Sequence, residues 1–354
     1  MSEASASNSH RIWKLIPGFA ISGYFLWSTL RSIRWDQLRA LRVVHPLWLV
    51  GIVLAVCLGY TLRAYRWWCM LRGNHARFSA CFRVLFTSLA ANNILPFRVG
   101  DFMRIFAYAP DVNASSSTVL STVILERLLD IFMLFAFLVI FLTGDTVKLA
   151  PVTVHGHIFG VYPLAAFILL VAGIGLGLLL FGTGLLHGLT KWLVAKFGQH
   201  PRMAKINEFA LLLFDAVLRM SFMRRVWLVV VTAMLWTCEG VIFLSTARAI
   251  GLVSAPRGPW LAETLSNLSF LLPSAPGGIG PFEASAKLAM QTHGVDAPAA
   301  ALYALLVHVI VFFAVTGVGG VAFLLHRRER GAATRPLTDS LATLPQDIDV
   351  VEIR

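Results

Sequence analysis

The stretch that decides the fold class is Tyr162–Phe181, YPLAAFILLVAGIGLGLLLF, an apolar run without a single charged side chain. One helical crossing of a bilayer needs about 20 such residues, and a second apolar run covers Ile131–Leu142. Of the 354 residues, 57% are apolar and 14% are charged, against about 25% charged in a soluble domain. The mean hydropathy is +0.74. The sequence therefore predicts an all-α polytopic membrane protein without a soluble enzyme domain.

The charge and cysteine content exclude several other classes. The net charge is +12, but the basic residues flank apolar runs and form no nucleic-acid-binding module. Lys and Arg in such positions orient membrane helices and meet anionic head groups. The four cysteines have neither CxxC nor Cys/His spacing. We therefore expect no disulfide, no metal and no other cofactor.

Apolar segments of two lengths alternate along the chain. Two short stretches, 80–95 and 260–272, end at Pro96 and Pro273 and lead through a glycine-containing break into a second short helical stretch. Proline disfavours helix continuation, and non-helical backbone at membrane depth must be buried in protein or line a wet cavity. We expect two re-entrant hairpins here. Six other segments are long enough for full crossings: about 12–30, 45–62, 119–142, 158–182, 226–250 and 298–325.

The order crossing, crossing, hairpin, crossing occurs twice, which predicts two structural repeats. With three crossings in each half, the second half would be inverted in the membrane relative to the first. Paired broken segments at corresponding positions are typical of a transporter's central site. The expected organisation is an N-terminal arm (1–11), a single transmembrane domain (12–325, with halves 12–142 and 158–325) and a polar tail (326–354).

Lys and Arg in the connections set the expected orientation. Bases are concentrated in connections 63–79 and 183–225, which are expected to be cytoplasmic, and few are found in 143–157 and 251–259. Connection 31–42 carries four arginines yet would lie outside, against this pattern. The prediction is a bacterial cytoplasmic (inner) membrane protein with both termini cytoplasmic and an uncleaved first helix.

The first hairpin contains NNILPFRVGDFMR at residues 92–104. If the helix resumes after Pro96, then Arg98, Asp101 and Arg104 share one face. Two guanidiniums around one carboxylate suit bidentate phosphate binding, which makes these three residues candidates for contact with a lipid head group. The alternative is an ion pair at the membrane interface.

The third crossing begins with ERLLD at residues 126–130. Glu126 and Asp130 are neighbours on one helix face, where like charges repel, and Arg127 adjoins them. Inside a membrane the two carboxylates need a proton, a cation or an arginine from another segment, and Arg98 and Arg104 are available. A wet cytoplasmic helix end is the alternative.

The second hairpin contains LPSAPGGIGPFE at residues 272–283. Gly277, Gly278 and Gly280 allow close backbone approach to a ligand, and free amides at the following helix start attract anions. A purely structural turn is the alternative. Glu283 and Lys287 are spaced to form a local pair.

Two further titratable residues lie within predicted crossings. Glu239 is midway through the fifth, where a carboxyl must be paired or protonated. His308 in the last crossing is expected to be a neutral histidine bonded to a neighbouring helix. The residues assigned to a charge network or to proton coupling are Glu126, Arg127, Asp130, Glu239, Glu283 and Lys287.

Three motifs in this order resemble the lysylphosphatidylglycerol synthase transmembrane family over about residues 12–325. They are Asn93-x-Leu95-Pro96-x-Arg98-x-Gly100-Asp101-x-x-Arg104, Glu126-Arg127-x-x-Asp130 and Leu272-Pro273-x-x-Pro276-Gly277-Gly278-x-Gly280-x-x-Glu283. This flippase-like family includes the lipid-flipping half of the bacterial multiple-peptide-resistance factor. The resemblance implies translocation of an amphipathic or polyprenyl-linked lipid between leaflets. The aminoacyl-transferase activity of that factor is not expected, because only a polar tail follows the last crossing.

Three functions follow as hypotheses. The first is translocation of an anionic phospholipid, glycolipid or polyprenyl-linked lipid, driven downhill or by ions because no ATP-binding motif is present. The second is a non-catalytic subunit that assists a lipid- or glycan-modifying enzyme. The third, an intramembrane lipid-modifying enzyme, is disfavoured because no Ser/His or Cys/His arrangement stands out. Membrane lipids are the expected partners, and nucleic acid is not.

Overall fold

The fold is helical, and a computed structural model describes residues 16–33, 42–142, 152–154, 157–182, 217–252, 256–272 and 274–342, with isolated positions between 184 and 214. The helices are α1 (Ile16–Leu30), α2 (Leu47–Leu71), α3 (Phe78–Ile94), α4 (Val99–Phe102), α5 (Ser116–Leu142), α6 (Val161–Phe181), α7 (Phe222–Ala249), α8 (Arg257–Leu268), α9 (Pro281–Thr292) and α10 (Ala297–Ala342). A small antiparallel ladder joins β1 (Val152–Val154) to β2 (His157–Phe159). The predicted arm 1–11 and most of connections 31–42, 143–157 and 183–225 lie outside the described residues.

Within the described residues, four helices are long and apolar enough to cross a membrane: α2, α6, α7 and α10. Helix α5 has the length of a crossing at 27 residues, but Glu126, Arg127 and Asp130 interrupt its apolar sequence. The apolar part of α1, Phe19–Leu30, is shorter. A multi-pass helical membrane protein is thus confirmed, and crossings by α1 and α5 stay predictions.

Residues 78–107 form a helix, a break and a short helical return, called here the first broken segment. Helix α3 ends at Ile94 because Leu95 is extended and Pro96 follows. Arg98 then adopts a left-handed conformation with φ of 52°. Helix α4 starts only at Val99 and continues into a π-helical turn, Met103–Ala107. The return packs against α3, and a Cβ on Gly100 would overlap the carbonyl oxygen of Ser88.

Residues 257–292 form the second broken segment in the same way. Helix α8 runs into a 3₁₀ turn, Ser269–Leu271, and a second turn, Pro276–Gly278, precedes α9. Pro273 lies outside the described residues. Helices α8 and α9 pack closely against each other, so both broken segments are helical pairs joined at a non-helical tip.

The packing of the helices relates the two halves of the chain. Helix α2 packs along α7, its counterpart in the second half. Helix α10 packs on α3 while α5 packs on α8, and the contacts α2–α3 and α2–α5 are matched by α7–α8 and α7–α10. In these contacts α2, α3 and α5 correspond to α7, α8 and α10, as two structural repeats would.

The helix of the second crossing extends beyond the predicted segment 45–62. Residues 63–79 are predicted to form a cytoplasmic connection, but α2 continues to Leu71. Tyr60, Ala64, Trp67 and Leu71 are all buried and extend one helix face past residue 62. Arg63 and Arg66 are consequently helix residues within the fold.

Candidate functional site

A cavity of about 520 Å³ lies between the turns of the two broken segments, called here the first tip (residues 93–98) and the second tip (residues 269–272 and 274–280). Its walls come from both broken segments and from α1, α2, α5, α7 and α10. The charged and titratable side chains that line it are Tyr60, Arg63, Arg98, Arg127, Asp130, Glu239 and His308. Leu95, Leu271 and Leu272 also line it and are exposed. The cavity thus combines a charged interior with apolar leucines at both tips.

Arg98 joins the two tips. Its Nη2 donates a hydrogen bond to the carbonyl oxygen of Phe270 at 3.0 Å, and its side chain is exposed. A Cβ on Gly277 would come within 3.3 Å of the carbonyl oxygen of Asn93, so the backbones of the two tips also meet. The two broken segments therefore form one site.

The expected shared face of Arg98, Asp101 and Arg104 is wrong. The left-handed conformation at Arg98 separates it from α4, and a π-helical turn begins before Arg104. The three side chains consequently point to different partners, and Asp101 and Arg104 are outside the lining of the cavity. Of the three, Arg98 alone lines it.

Asp101 ties the return of the first broken segment to its neighbours. Its Oδ1 accepts a hydrogen bond from Asn92 Nδ2 at 3.0 Å, and its amide donates to Asn92 Oδ1 at 3.2 Å. Its Oδ2 accepts from Arg127 Nη2 at 3.2 Å. Asp101 therefore fixes α4 on α3 and connects both to α5.

Arg104 supplies one of the cations that α5 requires. Its Nη2 lies 2.5 Å from Glu126 Oε2, and its guanidinium carbon lies 3.9 Å from the centre of the Trp67 ring. Both charged side chains are buried. An arginine of the first hairpin is predicted to meet these carboxylates, and Arg104 does so at Glu126.

The second carboxylate of α5, Asp130, has a partner that the sequence does not predict. Arg66 binds Asp130 through both terminal nitrogens, at 2.6 and 3.2 Å, and its Nη1 also donates to Thr232 at 3.1 Å. Trp236 Nε1 donates to Asp130 at 3.1 Å. The apolar helix face of α2, which continues past residue 62, is the sequence pattern that could have placed Arg66 on a helix.

Glu239 and Arg63 form an ion pair on the cavity wall. Their Oε2 and Nη2 atoms are 3.5 Å apart, and the guanidinium of Arg63 lies 5.4 Å from the ring centre of Trp236. Glu239 was expected to be paired or protonated, and its cation comes from α2, the helix that packs along α7.

The three glycines of the second tip adopt backbone conformations with positive φ. Gly277, Gly278 and Gly280 have φ of 70°, 73° and 99°, a region that residues with a Cβ rarely adopt. The amide of Gly278 donates to Ala275 O at 3.0 Å, and that of Gly280 donates to Glu283 Oε2 at 2.7 Å. The expected free amides for an anion are therefore wrong at these two positions. Gly277 and Gly278 do line the cavity, and Gly280 lies outside its lining.

Glu283 pairs with His308 and not, as expected, with Lys287. His308 Nδ1 is 2.8 Å from Glu283 Oε1, and His308 Nε2 is 3.0 Å from Gly277 O. Lys287 instead reaches α1, with its Nζ 2.5 Å from Ser32 Oγ. Glu283 pairs with His308 because α10 packs on α9 and places His308 beside the start of that helix.

The charges that line the cavity do not balance. Three guanidiniums face two carboxylates there. Arg63 and Arg127 each have a carboxylate partner, Glu239 and Asp101. Among the described residues, Arg98 has a carbonyl oxygen as its hydrogen-bond acceptor and so retains capacity for an anion.

These features define a multi-pass membrane protein with a charged cavity between two broken helical segments. The chain belongs to the family described as the lysylphosphatidylglycerol synthase TM region, which it matches over residues 15–319. The resemblance seen in the three motifs is thereby confirmed. Membership indicates a role connected with membrane lipids. Comparisons with curated proteins and with solved structures gave no match.

Proposed function

We propose that this protein moves an anionic or polyprenyl-linked lipid from one membrane leaflet to the other, as a transporter and not as an enzyme. The head group would enter the cavity between the two tips and bind Arg98, while the tails stay in the surrounding lipid. The observation that carries the proposal is the exposed guanidinium of Arg98, which lines the cavity and is bonded there to a carbonyl oxygen.

The cavity suits a molecule with a charged end and an apolar end. A phosphate or phosphodiester is a good acceptor for arginine because the planar guanidinium can offer two parallel N–H groups. The exposed leucines at the two tips, Leu95, Leu271 and Leu272, offer apolar contact beside this polar interior. A head group could therefore exchange its water for protein contacts without drawing its tails out of the lipid.

The proposed topology has six crossings, two re-entrant hairpins and an inverted second half, in the bacterial inner membrane with cytoplasmic termini. It is supported by the reciprocal packing of α2, α3 and α5 with α7, α8 and α10. Halves of opposite orientation would bring one tip from each side of the membrane to a common site, as in transporters built from inverted repeats.

The direct test is a leaflet-resolved transport assay in proteoliposomes with fluorescent anionic, zwitterionic and polyprenyl-linked lipids. We expect Arg98→Ala to weaken head-group binding by roughly ten- to a hundredfold, because a hydrogen bond to a charged group contributes about 1.5–3 kcal/mol. Arg98→Lys keeps the charge and should retain part of the flux. Wild-type flux must exceed that of empty liposomes.

Arg83→Ala is the matched control. Arg83 is also an arginine of the first broken segment, but it pairs with Glu329 at 2.6 Å and lies outside the cavity lining. Its flux should stay near that of the wild type. Equal losses in both variants would contradict a specific role for Arg98. No flux from the purified wild type with any lipid would instead favour the accessory role in a lipid-modifying pathway.

A further inference from the structure

His308 and Glu283 form a buried pair on the cavity wall that holds the second tip in place. Glu283 caps the start of α9 through Gly280, and His308 on α10 contacts both Glu283 and the carbonyl of Gly277. The His308 ring also stacks on Phe282, with 4.2 Å between ring centres. Three parts of the second half thus meet at this pair: the tip, α9 and α10.

The hydrogen bonds of His308 determine how many protons the pair holds. A carbonyl oxygen can only accept, so Nε2 must carry a proton to bond with Gly277. The contact between Nδ1 and Glu283 Oε1 needs a second proton, which belongs either to the imidazole or to the carboxyl. In both arrangements the pair as a whole is neutral and carries this shared proton.

We propose that the His308–Glu283 pair is a proton-binding site that couples the second tip, and with it the cavity, to proton uptake and release. When the shared proton leaves for water in the cavity, the net charge of the pair falls from zero to minus one. The neutral imidazole then has one N–H for two acceptors. Either the Gly277 carbonyl or the Glu283 carboxylate faces a ring nitrogen lone pair, and the tip loosens from α10.

The direction of the effect follows from this count. The closed tip requires the proton, so it is held at low pH and released as the pH rises. The charged groups around the cavity have partners of their own: Arg63 with Glu239, Arg127 with Asp101, Asp130 with Arg66, Arg98 with the Phe270 carbonyl, and Lys287 on α9 with Ser32. Tyr60 on α2 also lines the cavity, and its buried hydroxyl has no hydrogen-bond partner among the described residues. On the neighbouring α8, Glu263 is buried and contacts Thr264 at 3.1 Å.

The proton site also bears on the lipid. His308 and Arg98 line the same cavity, so a negative head group beside Arg98 favours the proton-bound pair. By linkage, proton binding must then favour the anionic head group to the same extent. This consequence rests on the proposed function, whereas the proton-dependent tip does not.

Two substitutions separate the shared proton from the hydrogen bonds. In Glu283→Gln, the amide oxygen can accept from Gly280 and the amide nitrogen can donate to Nδ1 of a neutral His308. All three contacts are then satisfied without a proton that can be lost. In His308→Gln the ring is gone, and the contacts to Glu283 and Gly277 cannot both be kept.

The test is hydrogen–deuterium exchange of purified protein in detergent, followed on peptides that cover residues 274–283 from about pH 6 to about pH 9. After correction for intrinsic exchange, the wild type should exchange roughly tenfold or more faster at the upper end. Glu283→Gln should stay slow throughout, and His308→Gln fast throughout.

The outcomes divide clearly. A wild-type profile that is flat across the range, or one that Glu283→Gln does not alter, overturns the proposal even if His308→Gln fails to fold. Flux of an anionic lipid in proteoliposomes should fall with rising pH in the wild type but not in Glu283→Gln. If the lipid flux is independent of pH while the deuterium exchange rate of the tip depends on pH, coupling of the proton site to transport is refuted. Absence of all flux with pH-dependent exchange refutes the proposed function and leaves the proton site standing.

Discussion

The ion pairs of α5 allow a sharp test of how the first broken segment and α2 hold this helix. Arg66 and Asp130 are 1% and 6% exposed, so they form a buried ion pair. The contribution of about 0–1 kcal/mol that is typical of surface ion pairs does not apply to them. Removing one partner leaves an uncompensated buried charge, at a cost of about 3–5 kcal/mol. Arg66→Met should therefore destabilise by that amount. Arg104→Met should do so as well, because Glu126 loses its closest cation and keeps only Arg66 at 3.8 Å.

Removing the stranded charge as well should recover most of the loss. The double variant Arg66→Met/Asp130→Asn should be more stable than the sum of its single changes by about 0.5–3 kcal/mol, and Arg104→Met/Glu126→Gln should behave likewise. The double variant Arg83→Met/Asp130→Asn is the matched control, because Arg83 pairs with Glu329 and shares no partner with Asp130. Arg104 and Asp130 cannot serve as the control pair, because Arg66 also lies 3.8 Å from Glu126 and so connects the two pairs.

The measurement is the apparent melting temperature and the SDS concentration at half-unfolding of all variants in one mild detergent. The two contacting pairs should show non-additive losses, and the control pair Arg83/Asp130 should be additive to within about 0.5 kcal/mol. Equal coupling in all three cycles would contradict the specific pairing seen here. Additivity in all three would place the carboxylates of α5 in water.

Two other predictions concern topology and packing. Cysteines introduced at Ser79, near the start of α3, and at Gln291, near the end of α9, should react with membrane-impermeant reagents from opposite sides of the bilayer, and labelling from one side would refute the inverted arrangement. Gly100→Ala should lower the apparent melting temperature by the equivalent of about 1–3 kcal/mol, because the new Cβ would overlap the Ser88 carbonyl. Gly175→Ala, where nothing lies within 4 Å of the added Cβ, should be neutral or gain up to about 1 kcal/mol, and equal losses at both glycines would contradict this packing.

Much of the fold could be predicted because hydrocarbon imposes simple rules on a sequence. The expected segment 226–250 corresponds to α7 (Phe222–Ala249), and the expected segment 119–142 to α5 (Ser116–Leu142). Both breaks were located from proline and glycine, which end helices whatever surrounds them. Helix α2 is longer than predicted. Arginine commonly marks a membrane boundary, but Arg66 lies inside the fold because Asp130 from another helix pairs with it.

The site was predicted less completely because its contacts join distant parts of the chain. The sequence indicated which residues carry charge at membrane depth, but periodicity within one segment relates only near neighbours. It therefore paired Glu283 with Lys287, although α10 supplies His308. Helical periodicity also placed Arg98, Asp101 and Arg104 on one face. No sequence pattern indicates the left-handed conformation that Arg98 adopts.

The pairing of charges explains why the folding of α5 and the formation of the cavity belong together. An unpaired buried charge is costly, so the buried Glu126 and Asp130 require Arg104 from the first broken segment and Arg66 from α2. The first broken segment, which supplies Arg104, also contacts the second tip through Arg98. In such a structure a cation bonded only to a carbonyl oxygen is stable where water or an anionic ligand can reach it. The exposed guanidinium of Arg98 meets this condition, and buried Arg104, already paired with Glu126, does not. For this reason Arg98, and not the cluster of three charges expected from the motif, is the residue on which head-group recognition should depend.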